Sequence, residues 1–183
     1  GLDQYKKNQL DNALNSLIKI KEKSLNTLKL ISQIYLKKDD IKNAKTTLNK
    51  ILNLDKKNLF SLNSLGDISK FKRNYREAEK FYSKCISYNK NFIPAYFNLG
   101  LLHEDKGNLK NARDCYIKVV EIDNKNYAAY FNLQRLDENL ITEEIIEKIN
   151  EQLKFNKNTN DKNLAYGHFV LAKNYRKKKE ISK

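Results

Sequence analysis

With 183 residues, 40% of them hydrophobic, the chain is long enough for one globular domain or a short repeat array, and too apolar to be disordered throughout. Five Gly and one Pro leave little for hairpins or phosphate-cradling loops, which argues against an all-β sandwich and frees long stretches to be helical. The net charge of +14 suggests a polyanion partner, but only five of the 36 cations are Arg, and a usage heavy in Lys and Asn fits compositional bias as well as a selected basic surface.

Taken in chain order, residues 1–24 carry Ala13, Leu17 and Ile20 in a second-helix pattern and read as a partial repeat. From there one interval governs the chain: Ala44, Ala78 and Ala112 stand 34 residues apart, as do Ile31, Leu65, Leu99 and Leu133. The predicted helix pairs are 25–37 with 41–54, 59–71 with 75–88, and 93–105 with 109–122. They turn at Asp39-Asp40, Arg73-Asn74 and Gly107-Asn108, where short polar residues and Gly break one helix and cap the next. A fifth unit opens at Tyr127 and loses the pattern near Asp137. Thr142 is a candidate cap for a helix with Ile145, Ile146, Ile149 and Leu153 on one face, and 156–162 read as a polar, disordered loop. The helix predicted from about 163 to 178 looks like the first helix of a truncated repeat, with Ala172 in its small slot.

The anchors follow a pattern of a large residue (Leu28, Leu62, Tyr96, Tyr130), two spacers, a Leu slot and a small slot (Ser32, Gly66, Gly100, Gln134). Ala and a later large residue (Leu48, Tyr82, Tyr116) complete it. In that pattern the chain resembles the tetratricopeptide repeat. Departures are visible: Lys56, Lys90 and Asn124 stand where the family has Pro, and Ser69, His103 and Asp137 where it has Tyr. The resemblance implies an all-α fold, a right-handed α-solenoid of stacked antiparallel helix pairs, about ten helices in all. The expected division is an array over 1–140, with repeats 25–58, 59–92 and 93–126 and a degenerate repeat from 127, followed by an irregular helical extension over 141–183. One hairpin cannot bury its own apolar face, so neighbouring pairs form the core together.

The resemblance also implies a concave groove lined by the first helices. Its slots hold Lys29, Asn63, Phe97 and Phe131; then Leu30, Ser64, Asn98 and Asn132; then Gln33, Asp67, Leu101 and Arg135. The candidate peptide-binding residues are Lys29, Asn63, Asp67, Phe97, Asn98, Phe131, Asn132 and Arg135. An Asn amide both donates to and accepts from an extended peptide backbone, but Asn98 and Asn132 serve equally as solvated wall; Phe97 and Phe131 are either ligand anchors or packing between first helices. The groove is mixed in charge, and Glu104, Asp105 and Glu138 make its C-terminal half acidic, which weighs against nucleic acid. Relatives that clamp the acidic tails of heat-shock chaperones use Lys, Asn, Asn, Lys and Arg; here Lys29 fits, and Gln33, Ser64, Pro94 and Asn98 do not.

No catalytic constellation emerges: P-loop, dinucleotide, nucleophile-elbow and zinc-protease motifs are absent. His103 and His168 lie far apart, and His103 takes a packing slot. Cys85 and Cys115, 30 residues apart, read as reduced thiols, with neither metal nor cofactor implied. The expectation is a non-enzymatic scaffold that binds protein or peptide, cytoplasmic by default, with self-association through the terminal repeats as a further route. The chain contains no Met and starts at Gly1, so it is expected to be a piece of something longer. Residues 143–175, a short acidic helix, a polar loop and a helix reading His-Phe-x-Leu-small-Lys, resemble the repeat region of bacterial repeat-containing sulfotransferases, which implies a sulfuryl-transferring domain beyond Lys183. A basic convex surface that docks on nucleic acid or an anionic membrane is the other alternative.

Overall fold

A computed structural model describes residues 2–154 and 162–181, and every described element is helical. In chain order the helices are α1 (Leu2–Ile18), α2 (Leu25–Lys37), α3 (Ile41–Leu54), α4 (Leu59–Phe71), α5 (Tyr75–Tyr88), α6 (Ile93–Asp105), α7 (Leu109–Ile122) and α8 (Tyr127–Leu136). A 3-10 turn over Glu138–Leu140 leads to α9 (Glu143–Lys154), and α10 covers Lys162–Ile181. The expected polar loop at 156–162 lies, apart from Lys162, outside the described residues. The helices gather into two compact units, Gly1–Lys90 and Asn91–Lys183.

Within the units α2 packs on α3, α4 on α5 and α6 on α7, each pair spanning the residues that the 34-residue interval predicts. The starts are set by short polar caps: Ser24, Asp40, Asn58 and Asn74 accept from the backbone N–H three residues on. Each pair turns through a residue in the left-handed region at one repeat position: Asp39 (φ 59°), Arg73 (φ 57°) and Gly107 (φ 74°). Only the third turn has the residue this geometry favours.

The crossing points are as tight as the small slots require. Ala44, Ala78 and Ala112 are fully buried, and so are Leu48, Tyr82 and Tyr116 beside them. A Cβ on Gly66 would lie 2.5 Å from Cε1 of Tyr82, and one on Gly100 2.7 Å from Cε1 of Tyr116, so only a missing side chain lets these rings lie against the first helices.

Two elements differ from their sequence reading. In α1 Ala13 is exposed and Leu14 is the buried residue, so this helix does not present its Ala at a close crossing as α3, α5 and α7 do. In the second unit α10 lies against α8 as well as α9. Gly167 allows this: a Cβ there would sit 3.1 Å from the Tyr127 ring and 3.0 Å from Leu153. Gln134 holds the slot that receives a Tyr ring in the two preceding pairs; it instead donates Nε2–H to the carbonyl of Val170 on α10, at 3.2 Å.

Candidate peptide-binding site

In the first unit α2 and α4 carry the candidates. Lys29 is half-buried on α2. On α4, Asn63 and Asp67 stand one turn apart, and Asn63 Nδ2 donates to Asp67 Oδ2 at 3.2 Å. The other oxygen, Oδ1, accepts from Tyr82 Oη on α5 at 2.7 Å. Loss of water around this carboxyl raises its pKa, opposed by the Tyr82 hydrogen bond and by Lys70. Asp67 is thus anchored to the helix pair through the same Tyr that packs on Gly66.

In the second unit α6 and α8 carry Phe97, Asn98, Phe131, Asn132 and Arg135. Phe97 packs edge-on against Tyr116 of α7, with centroids 5.5 Å apart, and Phe131 lies 5.2 Å from Tyr166 and 6.3 Å from Phe169, both on α10. Both Phe rings are therefore packing residues, but Phe97 also lines a recess of about 390 Å³ with Ile93, Pro94, Asn98, Ala128 and Asn163. Asn163 shapes one wall of that recess by accepting from the Ala128 N–H at 3.2 Å and donating to the Lys125 carbonyl at 2.7 Å.

Asn132 is only 8% exposed, and among the described residues its amide has no hydrogen-bond partner. Arg135, exposed, pairs with Glu104, whose other oxygen accepts from Tyr116 Oη at 2.6 Å. That Tyr hydroxyl is pushed well above its ordinary range by burial first and by Glu104 second. The Tyr116–Glu104–Arg135 chain was not legible in the sequence. The buried Tyr hydroxyls choose whichever carboxylate the first helix offers, one residue after Gly66 in one pair and four after Gly100 in the next, so no fixed spacing announces them.

Among the described residues no group of three or more His, Cys, Asp and Glu could hold a metal ion, and no described helix is long and apolar enough to cross a membrane. Burial pushes the thiols of Cys85 and Cys115 up to about 11, with Asp67 and Asp114 adding to it, so both stay protonated and poorly nucleophilic at neutral pH. His103 is 7% exposed in its packing slot.

Antiparallel pairs repeated at one interval, each closed by a small residue under a large one, define an α-helical repeat protein. The tetratricopeptide repeat family profile matches residues 29–58, 61–92 and 93–126, more than half of the chain, and the chain belongs to that family. Among solved structures, a crystal structure of MamA aligns with TM-score 0.64 at 18% identity, covering 95% of each chain. A MamA RS-1 ArsTM double mutant aligns with TM-score 0.63 at 15% identity, covering 95% of this chain and 89% of that one. The first tetratricopeptide repeat domain of Spaghetti (RPAP3), bound to the HSP90 peptide SRMEEVD, aligns with TM-score 0.57 at 19% identity over 64% of this chain and 94% of its own. At these identities the likeness is one of fold. No curated protein sequence matches the chain significantly.

Proposed function

We propose that the chain is a scaffold whose second unit binds an extended polypeptide across the first helices α6 and α8. The observation that carries this reading is Asn132, a residue 8% exposed on α8 whose amide makes no hydrogen bond among the described residues and stays open to solvent. A ligand backbone offering one donor and one acceptor can therefore reach both amide atoms, at a net gain of about 0.5–1.5 kcal/mol per hydrogen bond. Asn98, one repeat earlier, extends the same row; the recess beside Phe97 takes an apolar ligand side chain, and Arg135 with Glu104 supplies a switchable charge pair at the edge. Lys29, Asn63 and Asp67 are the corresponding surface of the first unit. The HSP90 peptide bound by the structurally similar RPAP3 domain is compatible with this reading.

The test is selection from a displayed library of unstructured peptides. Enriched peptides should bind wild-type protein and lose roughly tenfold in affinity to Asn132→Ala, with the fold unchanged by circular dichroism. If no enriched peptide is sensitive to Asn132 or Asn98, the reading falls.

A narrower form of the proposal makes this scaffold part of a larger bacterial protein, presenting substrate polypeptide to a sulfuryl-transferring domain. It is supported by the sequence pattern of residues 143–175, whose described parts lie on α9 and α10, with α10 packing on both α8 and α9. Donor-dependent sulfation of a bound peptide by a form extended beyond Lys183 would support it; an extended form that lacks a donor-binding domain would remove it.

A further inference from the structure

The charge of the chain is concentrated in one unit. Residues 1–90 hold twenty Lys and Arg against nine Asp and Glu, whereas residues 91–183 hold sixteen against thirteen, so the first unit carries +11 of the total +14. Within it two second helices carry cations in regular rows. Helix α3 has Lys42, Lys45 and Lys50 and no acid, and α5 has Arg76, Lys80 and Lys84 at successive four-residue steps, one helical turn apart, with Glu77 and Glu79 between the first two. Two of these positions hold a cation in both helices, Lys42 with Arg76 and Lys50 with Lys84, at the 34-residue interval.

The α5 row borders a cavity of about 650 Å³ lined by Asn74, Arg76, Glu77, Lys80, Phe81 and Lys84. Three features make it a receptor surface as well as a charged one. The floor is apolar: Phe81 is half-buried against the core of the first unit. The one lining carboxylate is already engaged, since Glu77 Oε2 accepts from Ser69 Oγ at 2.8 Å and from Asn74 Nδ2 at 3.2 Å. Arg76 and Lys80 are exposed and have no ion-pair partner among the described residues, while Lys84 sits 5.9 Å from the centroid of the Tyr88 ring, which Lys57 approaches from 5.7 Å. Cations held near one another on a rigid helix repel, and a partner with complementary charge relieves this.

We infer that the outer face of α5 is a second docking surface, separate from the groove of the second unit, and that its occupant is an acidic polypeptide segment that places carboxylates on Arg76, Lys80 and Lys84 and one apolar side chain on Phe81. A small concavity with an apolar floor suits an acidic peptide. A nucleic-acid strand would call for a row of stacking aromatics, and Phe81 is the one ring lining this cavity. Lys and Arg are matched by Asp and Glu at a similar rise along an extended or helical segment.

The experiment is fluorescence anisotropy on the full chain with a fluorescein-labelled peptide of Glu-Glu-Leu repeats. Competitors are unlabelled oligothymidylate and vesicles of mixed phosphatidylserine and phosphatidylcholine. Binding is expected to weaken with added salt and to fall about tenfold or more in the R76E/K80E/K84E variant. A control with the same change in net charge, K148E/K154E/K162E in the second unit, should bind as wild type, and so should Asn132→Ala. Loss of a groove ligand in the Asn132 variant with retained acidic-peptide binding would separate this surface from the groove. Equal weakening in the charge control would overturn the inference by reducing it to net charge. Tighter binding of oligothymidylate or vesicles through the same three residues would overturn the choice of occupant, and an unfolded triple variant would be replaced by K80E alone, for which an unchanged affinity overturns the assignment.

Discussion

Gly66 and Gly100 are the residues whose side-chain absence is most directly used, because the rings of Tyr82 and Tyr116 occupy the space a Cβ would take. Gly66→Ala and Gly100→Ala should each cost about 2 kcal/mol or more through overpacking, seen as a thermal midpoint lower by several degrees. The turn residues behave in the opposite way. Arg73 sits in the left-handed region at φ 57°, a conformation that costs a non-Gly residue about 1–2 kcal/mol; Gly there recovers this but frees the unfolded chain by about 0.4–1 kcal/mol. Arg73→Gly should therefore stabilise by up to about 1 kcal/mol, and Gly107→Ala destabilise by a similar amount, both read by thermal or urea unfolding.

At the scale of elements, α10 is held differently along its length. Its buried stripe of Leu164, Val170 and Leu171 packs on apolar neighbours, but its later half is held by exposed ion pairs: Lys173 with Glu138 at 2.6 Å, Lys177 with Glu138 at 3.5 Å and Lys178 with Glu143 at 2.6 Å. Two amide oxygens in this polar interface, Gln134 Oε1 and Asn174 Oδ1, are buried without a hydrogen bond among the described residues. Hydrogen bonds from Lys173 and Lys178 hold the carboxyls of Glu138 and Glu143 below their ordinary value of 4.5. Because the folded value is the lower one, their contribution is complete above that ordinary value and is lost as pH falls through the depressed one. Hydrogen exchange over 173–179, corrected for intrinsic rates, should accelerate in acid and in high salt before the rest of the second unit loosens. The helix pairs were legible because their crossings demand Ala or Gly at one interval. The placement of α10 was not, because it depends on meetings distant in sequence, Gln134 with Val170 and Gly167 with Tyr127. The groove candidates were legible by slot alone. That Phe97 and Phe131 also pack on neighbouring rings, and that Arg135 is paired, depends on partners outside any repeat slot.

Across the whole molecule, the basic excess and the unpartnered Asn132 amide belong to different compact units. Each unit has its own buried cluster, one around Leu48, Ile51 and Leu65 and the other around Tyr116, Val119 and Tyr130. Residues 91–183 produced alone should therefore keep a helical circular-dichroism spectrum and a cooperative thermal transition. A fragment without a cooperative transition would show that folding of the second unit depends on the first.

The turn at Gly107 is constrained in its dihedral angle and free in its surroundings, since a Cβ built there meets no atom within 4 Å. A residue of mirror-image chirality prefers positive φ for the same steric reason that an L-residue avoids it. D-Ala or a D-cysteine introduced at 107 by chemical ligation would thus carry a side chain into open solvent without strain, giving a labelling point that leaves both helices of its pair undisturbed.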